Sequence, residues 1–151
     1  MKFLRLLLAW LVAAVVTAAL GSIIQTQFNL AAIAALGASV PLGARLQTTL
    51  HDLAGFAPMF GLVGAAGFVP GFVVAALLSW RRPEWRALLY PLAGAAALVA
   101  AVLLMNGLLP VTPIGATRSA WGIAALGLAG LAGGAAFAAL APRSTRARTM
   151  A

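Results

Sequence analysis

Apolar positions along this chain do not alternate with polar ones; they run on without interruption. Four such runs stand out: Leu4 to Ile24, Gly55 to Trp80, Ala87 to Leu109 and Ser119 to Ala141. A helix needs about 20 apolar residues to cross a hydrocarbon core of about 30 Å, and each run reaches that length. The first has one basic residue, Arg5, near its edge, and the other three contain no Asp, Glu, Lys, Arg or His. Strands facing lipid on one side only would show a period of two, which is missing here. Backbone groups in lipid must bond within their own segment, so the pattern predicts four membrane-spanning helices in a bundle, an all-α fold with a single membrane domain over residues 1–151.

The connections carry the punctuation. The short loop SWRRPEWR joins the second and third runs, with Trp80 and Trp85 as interfacial anchors beside arginines. Pro83 and Pro91 fit that loop and the first turn of the third helix, and Pro110 and Pro113 fit the turn after it. Pro70 lies inside the second run, where it deprives the Ala66 carbonyl of its helical partner and bends the helix. The longest connection is Gln25–Ala54. Its apolar segment FNLAAIAAL (28–36) is too short to span again, and it either lies in the interface or extends the first helix. Beyond GASVP, residues 43–53 place Leu46, Leu50 and Leu53 at helical spacing, with Arg45, Gln47, Thr48, His51 and Asp52 on other faces. This spacing predicts a short amphipathic helix lying on the membrane surface or capping the bundle.

Basic residues set an orientation. Lys2, Arg5, Arg81, Arg82, Arg86, Arg143, Arg146 and Arg148 fall on one side of a four-span plan, and only Arg45 and Arg118 on the other. The bias places both termini and the Arg81–Arg86 loop in the cytoplasm, as in a multi-pass protein of a cell inner membrane. The basic, apolar N-terminus also has the ingredients of a signal peptide, whose apolar core is about 7–15 residues long. Here the apolar run continues through Ile23 and Ile24, which favours an uncleaved first helix.

Composition agrees: 64% of the 151 residues are hydrophobic and 8% charged, against about 25% charged in an ordinary soluble domain. The net charge of +8 comes from clusters between apolar runs rather than from one basic face, so it marks topology and not nucleic-acid binding. Cysteine is absent, which removes disulfides, thiol nucleophiles and thiolate metal sites.

Few groups remain for chemistry. The two acids, Asp52 and Glu84, fall on opposite sides of the membrane and cannot act as an acid–base pair. His51 is the single histidine, so a bis-histidine or structural zinc site is excluded and no metal or cofactor is expected. Ser39, His51 and Asp52 name the members of a hydrolytic triad, but no nucleophile elbow surrounds Ser39. The glycine-rich stretches lack the lysine and the strand of a phosphate-binding loop. No catalytic constellation emerges, and the chain is not expected to be an enzyme. Glu84 is expected to pair with Arg81 or Arg86 at the surface, Thr117 or Ser119 to cap the fourth helix, and Arg45 and Asp52, seven residues apart, not to pair directly. Polar side chains gather on the outer side, where Arg45, His51, Asp52, Asn106 and Arg118 are the candidates for holding an anionic headgroup or a small ligand. Gly67 and Gly71, and Gly130 and Gly134, are four apart, a spacing that lets helices approach closely in lipid, within the chain, in a homodimer or against another membrane protein.

The segments SIIQTQFNL (22–30), RLQTTLHDLAGFAP (45–58) and LLPVTPIGATR (108–118) resemble a set of uncharacterised small four-helix bacterial inner-membrane proteins, over nearly the whole chain. The resemblance implies a four-helix membrane fold and, since that set has no established activity, carries over no site residue. Better-known four-helix groups fail on residue tests. Small multidrug transporters use a carboxylate in the first span, disulfide-forming oxidoreductases use cysteine pairs, and membrane glutathione transferases use polar and arginine residues within their helices. Two expectations follow. The leading one is a noncatalytic membrane component acting through helix–helix contact; the alternative is a small transporter or a lipid- or ligand-binding protein with a polar outward-facing mouth.

Overall fold

The computed structural model describes residues 2–142, and all of its regular structure is helical. Four long helices are present: α1 (Lys2–Ala35), α2 (Leu42–Arg81), α3 (Arg86–Leu108) and α4 (Ala120–Leu140). Each is long and apolar enough to cross a membrane, as in a multi-pass membrane protein. Short 3-10 turns at Pro83–Trp85 and Gly115–Arg118 precede α3 and α4. The helices form a ring in chain order, α1 against α2, α2 against α3, α3 against α4, and α4 back against α1.

One expectation about the long connection is corrected, and one of two alternatives is selected. No separate amphipathic helix covers residues 43–53; that stretch is the first part of α2. Of the two expectations for FNLAAIAAL, the extension of the first helix holds and the interfacial segment does not, since α1 continues through it to Ala35. The reason is that nothing between Ile24 and Ala35, or between Leu42 and Gly55, breaks a helix. The only breaker is the GASVP turn itself, where Gly37 (φ 91°) takes up the left-handed conformation that ends α1. Leu36 and Gly37 donate to the carbonyls of Ile33 and Ala34 at 3.1 and 3.0 Å, closing the last turn. Pro58 and Pro70 lie within α2 and Pro91 within α3, deeper than the first turn expected for Pro91. In each case the carbonyl four residues earlier loses its helical donor without ending the helix.

At 1.5 Å per residue, α1 is about 51 Å long and α2 about 60 Å, whereas α3 and α4 are about 35 and 32 Å. The α1–α2 hairpin therefore overhangs the α3–α4 hairpin. Two buried clusters fill the ring. One, near the termini, contains Phe68, Phe72, Tyr90 and Phe137 with Ala9 and Ala13; the other, near the hairpin tip, contains Phe60, Leu98, Val102, Ile114 and Leu126. Large apolar side chains such as Val15, Leu62, Val73, Leu104 and Leu128 point outward instead, as a lipid-facing surface requires.

The glycine pairs are consumed inside the chain. A Cβ on Gly71 would come within 2.9 Å of Ala97 Cβ, and one on Gly67 within 3.2 Å of the Ala97 carbonyl, so this stripe faces α3. Gly130 and Gly134 face α3 from the other side, where added Cβ atoms would meet the Gly94 and Tyr90 carbonyls at 2.4 and 2.2 Å. α3 thus sits between two small-residue faces that let backbones come close.

Candidate functional site

The polar side chains read as leaving the first span are part of a continuous helix. Thr17, Gly21, Gln25 and Asn29 recur every four residues on one face of α1, with Ser22 and Thr26 beside them. Thr17, Ser22, Gln25 and Thr26 are all buried. Thr17 donates to the Ala129 carbonyl of α4 at 3.2 Å. Gln25 Oε1 accepts from the Ala116 N–H at 2.7 Å, which fixes the 3-10 turn before α4 to α1. Asn29 closes on the same turn: a Cβ on Gly115 would sit 2.2 Å from its Oδ1. Sequence reasoning ended the apolar run at Ile24 and left a helix extension open, so it did not assign this face; the four-residue repeat of small and polar positions is the signal for it.

Opposite this, α1 and α2 are cross-bonded. Arg45 Nη1 donates to Gln27 Oε1 at 2.9 Å, Gln27 Nε2 donates to Thr49 Oγ1 at 3.2 Å, and Thr49 donates to the Arg45 carbonyl at 2.7 Å. Asp52 Oδ2 lies 2.7 Å from Thr26 Oγ1, which also lies 2.9 Å from the Ser22 carbonyl, so its single hydrogen is shared between two acceptors. Arg45 and Asp52 each take a different partner on α1, in line with the expectation that they would not pair directly.

No hydrogen bond links any of the five candidate ligand residues to another of the five. Arg45 and Asp52 are half-buried on the α1–α2 seam. Asn106 is on α3, 3.1 Å from Thr117 Oγ1, which also donates to the Ile114 carbonyl at 2.7 Å. His51 and Arg118 are exposed, and neither joins these networks. Ser39 lies in the turn between α1 and α2, twelve residues before His51. Among the described residues no group of three or more His, Asp or Glu side chains is placed to hold a metal ion.

At the other end of the ring the chemistry is structural. Arg86 donates to the carbonyls of Ala138 and, at 2.9 Å, Ala141, capping the C-terminal end of α4, and its guanidinium stacks 5.2 Å from the centre of the Tyr90 ring. Sequence reasoning assigned Arg86 to orientation and to Glu84; the ion pair formed by Glu84 is with Arg82 instead, at 3.7 Å and solvent-exposed. Such a pair contributes little. Ser119 caps α4 as expected, its hydroxyl accepting from the Gly122 N–H at 3.0 Å. Arg143, Arg146 and Arg148 lie outside the described residues.

Near the termini, α1 and α2 separate and leave a crevice of about 510 Å³, lined by Leu7, Trp10, Phe68, Phe72, Val73 and Phe137 among others. A second groove of about 460 Å³ runs along the other face of the α1–α2 seam, and Trp10 lines both. Both linings are almost wholly apolar.

No protein-family model matches this chain, and neither does any curated protein or solved structure.

Proposed function

We propose that this chain is a noncatalytic component of a bacterial inner membrane, an accessory, scaffold or assembly subunit that works through helix–helix contact. The observation that carries this reading is the use of polar groups at the hairpin end. Gln25, Gln27, Thr26, Arg45, Asp52 and Asn106 are engaged across helices and hold the bundle together. Beside exposed polar residues such as Gln47 and His51, the overhanging hairpin exposes Leu36, Leu42, Leu46 and Leu50. Leu42, Leu46 and Leu50 are four apart, so they form one stripe along α2. An apolar stripe on an overhanging helix pair is a surface for another helix. The glycine faces are already taken up by α3, so contact with a partner falls to this stripe.

The basic residues favour cytoplasmic termini and a hairpin tip on the far side. The alternative of a transporter or ligand-binding protein with a polar outer mouth has less support, because Arg45, Asp52 and Asn106 are each engaged with a side chain of another element.

The test is purification from native membranes in mild detergent, at endogenous expression, with mass spectrometry of what accompanies the chain. A membrane protein recovered in fixed stoichiometry, and lost in a Leu46→Glu/Leu50→Glu variant that still inserts, is the expected result. Recovery of the chain alone overturns the proposal.

A further inference from the structure

The seam between α1 and α2 carries an inference independent of the reading above. Thr26 is fully buried on α1, and its hydroxyl oxygen stands 2.7 Å from Asp52 Oδ2 and 2.9 Å from the Ser22 carbonyl oxygen. A hydroxyl has one hydrogen to give and two lone pairs to receive. With Asp52 ionised, that hydrogen goes to the carboxylate, and the Ser22 carbonyl keeps only its helical bond from the Thr26 N–H. With Asp52 protonated, the carboxyl O–H donates to Thr26 Oγ1, and the Thr26 hydrogen turns to the Ser22 carbonyl. Every donor finds an acceptor in both states, with the oxygens where they stand. An arginine or lysine in place of Thr26 has donors only, and could not accept from the protonated acid.

We infer that Thr26 and Asp52 form a latch that holds α1 to α2 whether Asp52 is charged or neutral, and whose hydrogen bonds reverse direction when Asp52 takes up a proton. Asp52 is half-buried and so reaches solution, while Thr26 does not. The charged and titratable groups around the latch are few. Arg45, seven residues earlier on α2, donates to Gln27 Oε1 at 2.9 Å. His51, the preceding residue, and Arg118, in the turn before α4, are both exposed. α1 has no charged side chain after Arg5, α3 has none after Arg86, and α4 has none. The second contact of the seam pairs Arg45 with a neutral amide, so acid leaves that one intact as well. The hairpin is thus built to stay closed when its surroundings acidify.

The test uses the full chain in lipid nanodiscs, with serine carrying a heavy-isotope carbonyl carbon. The infrared stretch of the Ser22 carbonyl, assigned by subtracting a Ser22→Ala protein, is read at about pH 7 and about pH 3, on either side of the ordinary aspartate value of about 3.9. Acidification is expected to lower that stretch, because the carbonyl gains a second donor. Thr26→Val, which has no hydroxyl to turn, and Asp52→Asn, which does not titrate, should each show no shift. His51→Gln should shift as the parent does. Spin labels on cysteines placed at Ile23 and Ala54, both exposed, should report the same inter-helix distance in the parent at both pH values. A Ser22 band that does not move in the parent, a shift that survives in Thr26→Val or Asp52→Asn, or a distance that changes on acidification overturns the assignment.

Discussion

Gln25 spans from α1 to the turn before α4, its side-chain oxygen 2.7 Å from the backbone nitrogen of Ala116. Both residues are buried, at 6% and 1% exposure, so this N–H has no water to turn to. The contact substitutes for a helical partner in a segment too short to make its own, and it sets where α4 begins.

Replacing Gln25 with Leu keeps the bulk and removes the acceptor. The expected loss is about 1–3 kcal/mol of stability, the cost of an orphaned buried donor. Reversible unfolding in mixed detergent reads it directly. An unchanged midpoint would mean that Ala116 finds another acceptor.

Small residues around α3 make the opposite prediction at two kinds of glycine. Gly134→Val drives a side chain into the Tyr90 carbonyl and Pro91, and should cost about 1–3 kcal/mol or more. Gly55→Ala meets nothing within 4 Å and lies inside α2, so it should stabilise by up to about 1 kcal/mol. Thermal aggregation midpoints of the two variants should move in opposite directions from the parent.

Arg86 holds two separate carbonyls at the end of α4. Arg86→Lys keeps the charge but not the fork, so it should behave more like Arg86→Gln than like the parent, each losing about 1.5–3 kcal/mol locally. The readout is hydrogen exchange of the last-turn amides of α4, which should speed up in both variants. Full protection in the lysine variant would show that charge alone suffices.

Orientation is tested by labelling, which the absence of native cysteine makes clean. A cysteine at Thr48 should react with an impermeant reagent added outside intact cells. One at Ser144 should react only after permeabilisation. Reaction of both from the same side would overturn the four-span plan.

The four spans were legible in the sequence because continuous apolar runs with almost no charge have few alternatives. Helix caps and ends governed by one residue, such as Ser119, were legible too. What was only partly legible was the length of α1 and α2. Polar residues after Ile24 leave an interfacial segment and a helix extension both open, because a helix does not stop where hydrophobicity does. It stops at a breaker, and the first one is Gly37. Once α1 is allowed to continue, Thr17, Gly21, Gln25 and Asn29 fall on one face, and polar residues that looked solvated become contacts between helices. Arg86 was missed for a different reason: its partners are backbone carbonyls 52 and 55 residues away, which no local pattern announces.

The unequal lengths of the two hairpins have a mechanical consequence. The 3-10 turn before α4 meets α1 at Gln25 and Asn29, so the last six residues of α1 extend about 9 Å past that contact, alongside the start of α2. Arg45, Gln27 and Thr49 lock those two helices together near that level, which makes the extension a stiff arm rather than a loose loop. A rigid arm fixed at one end acts as a lever. Small changes in the tilt of the bundle therefore reach their largest sideways displacement at the tip, where Leu36 is 88% exposed.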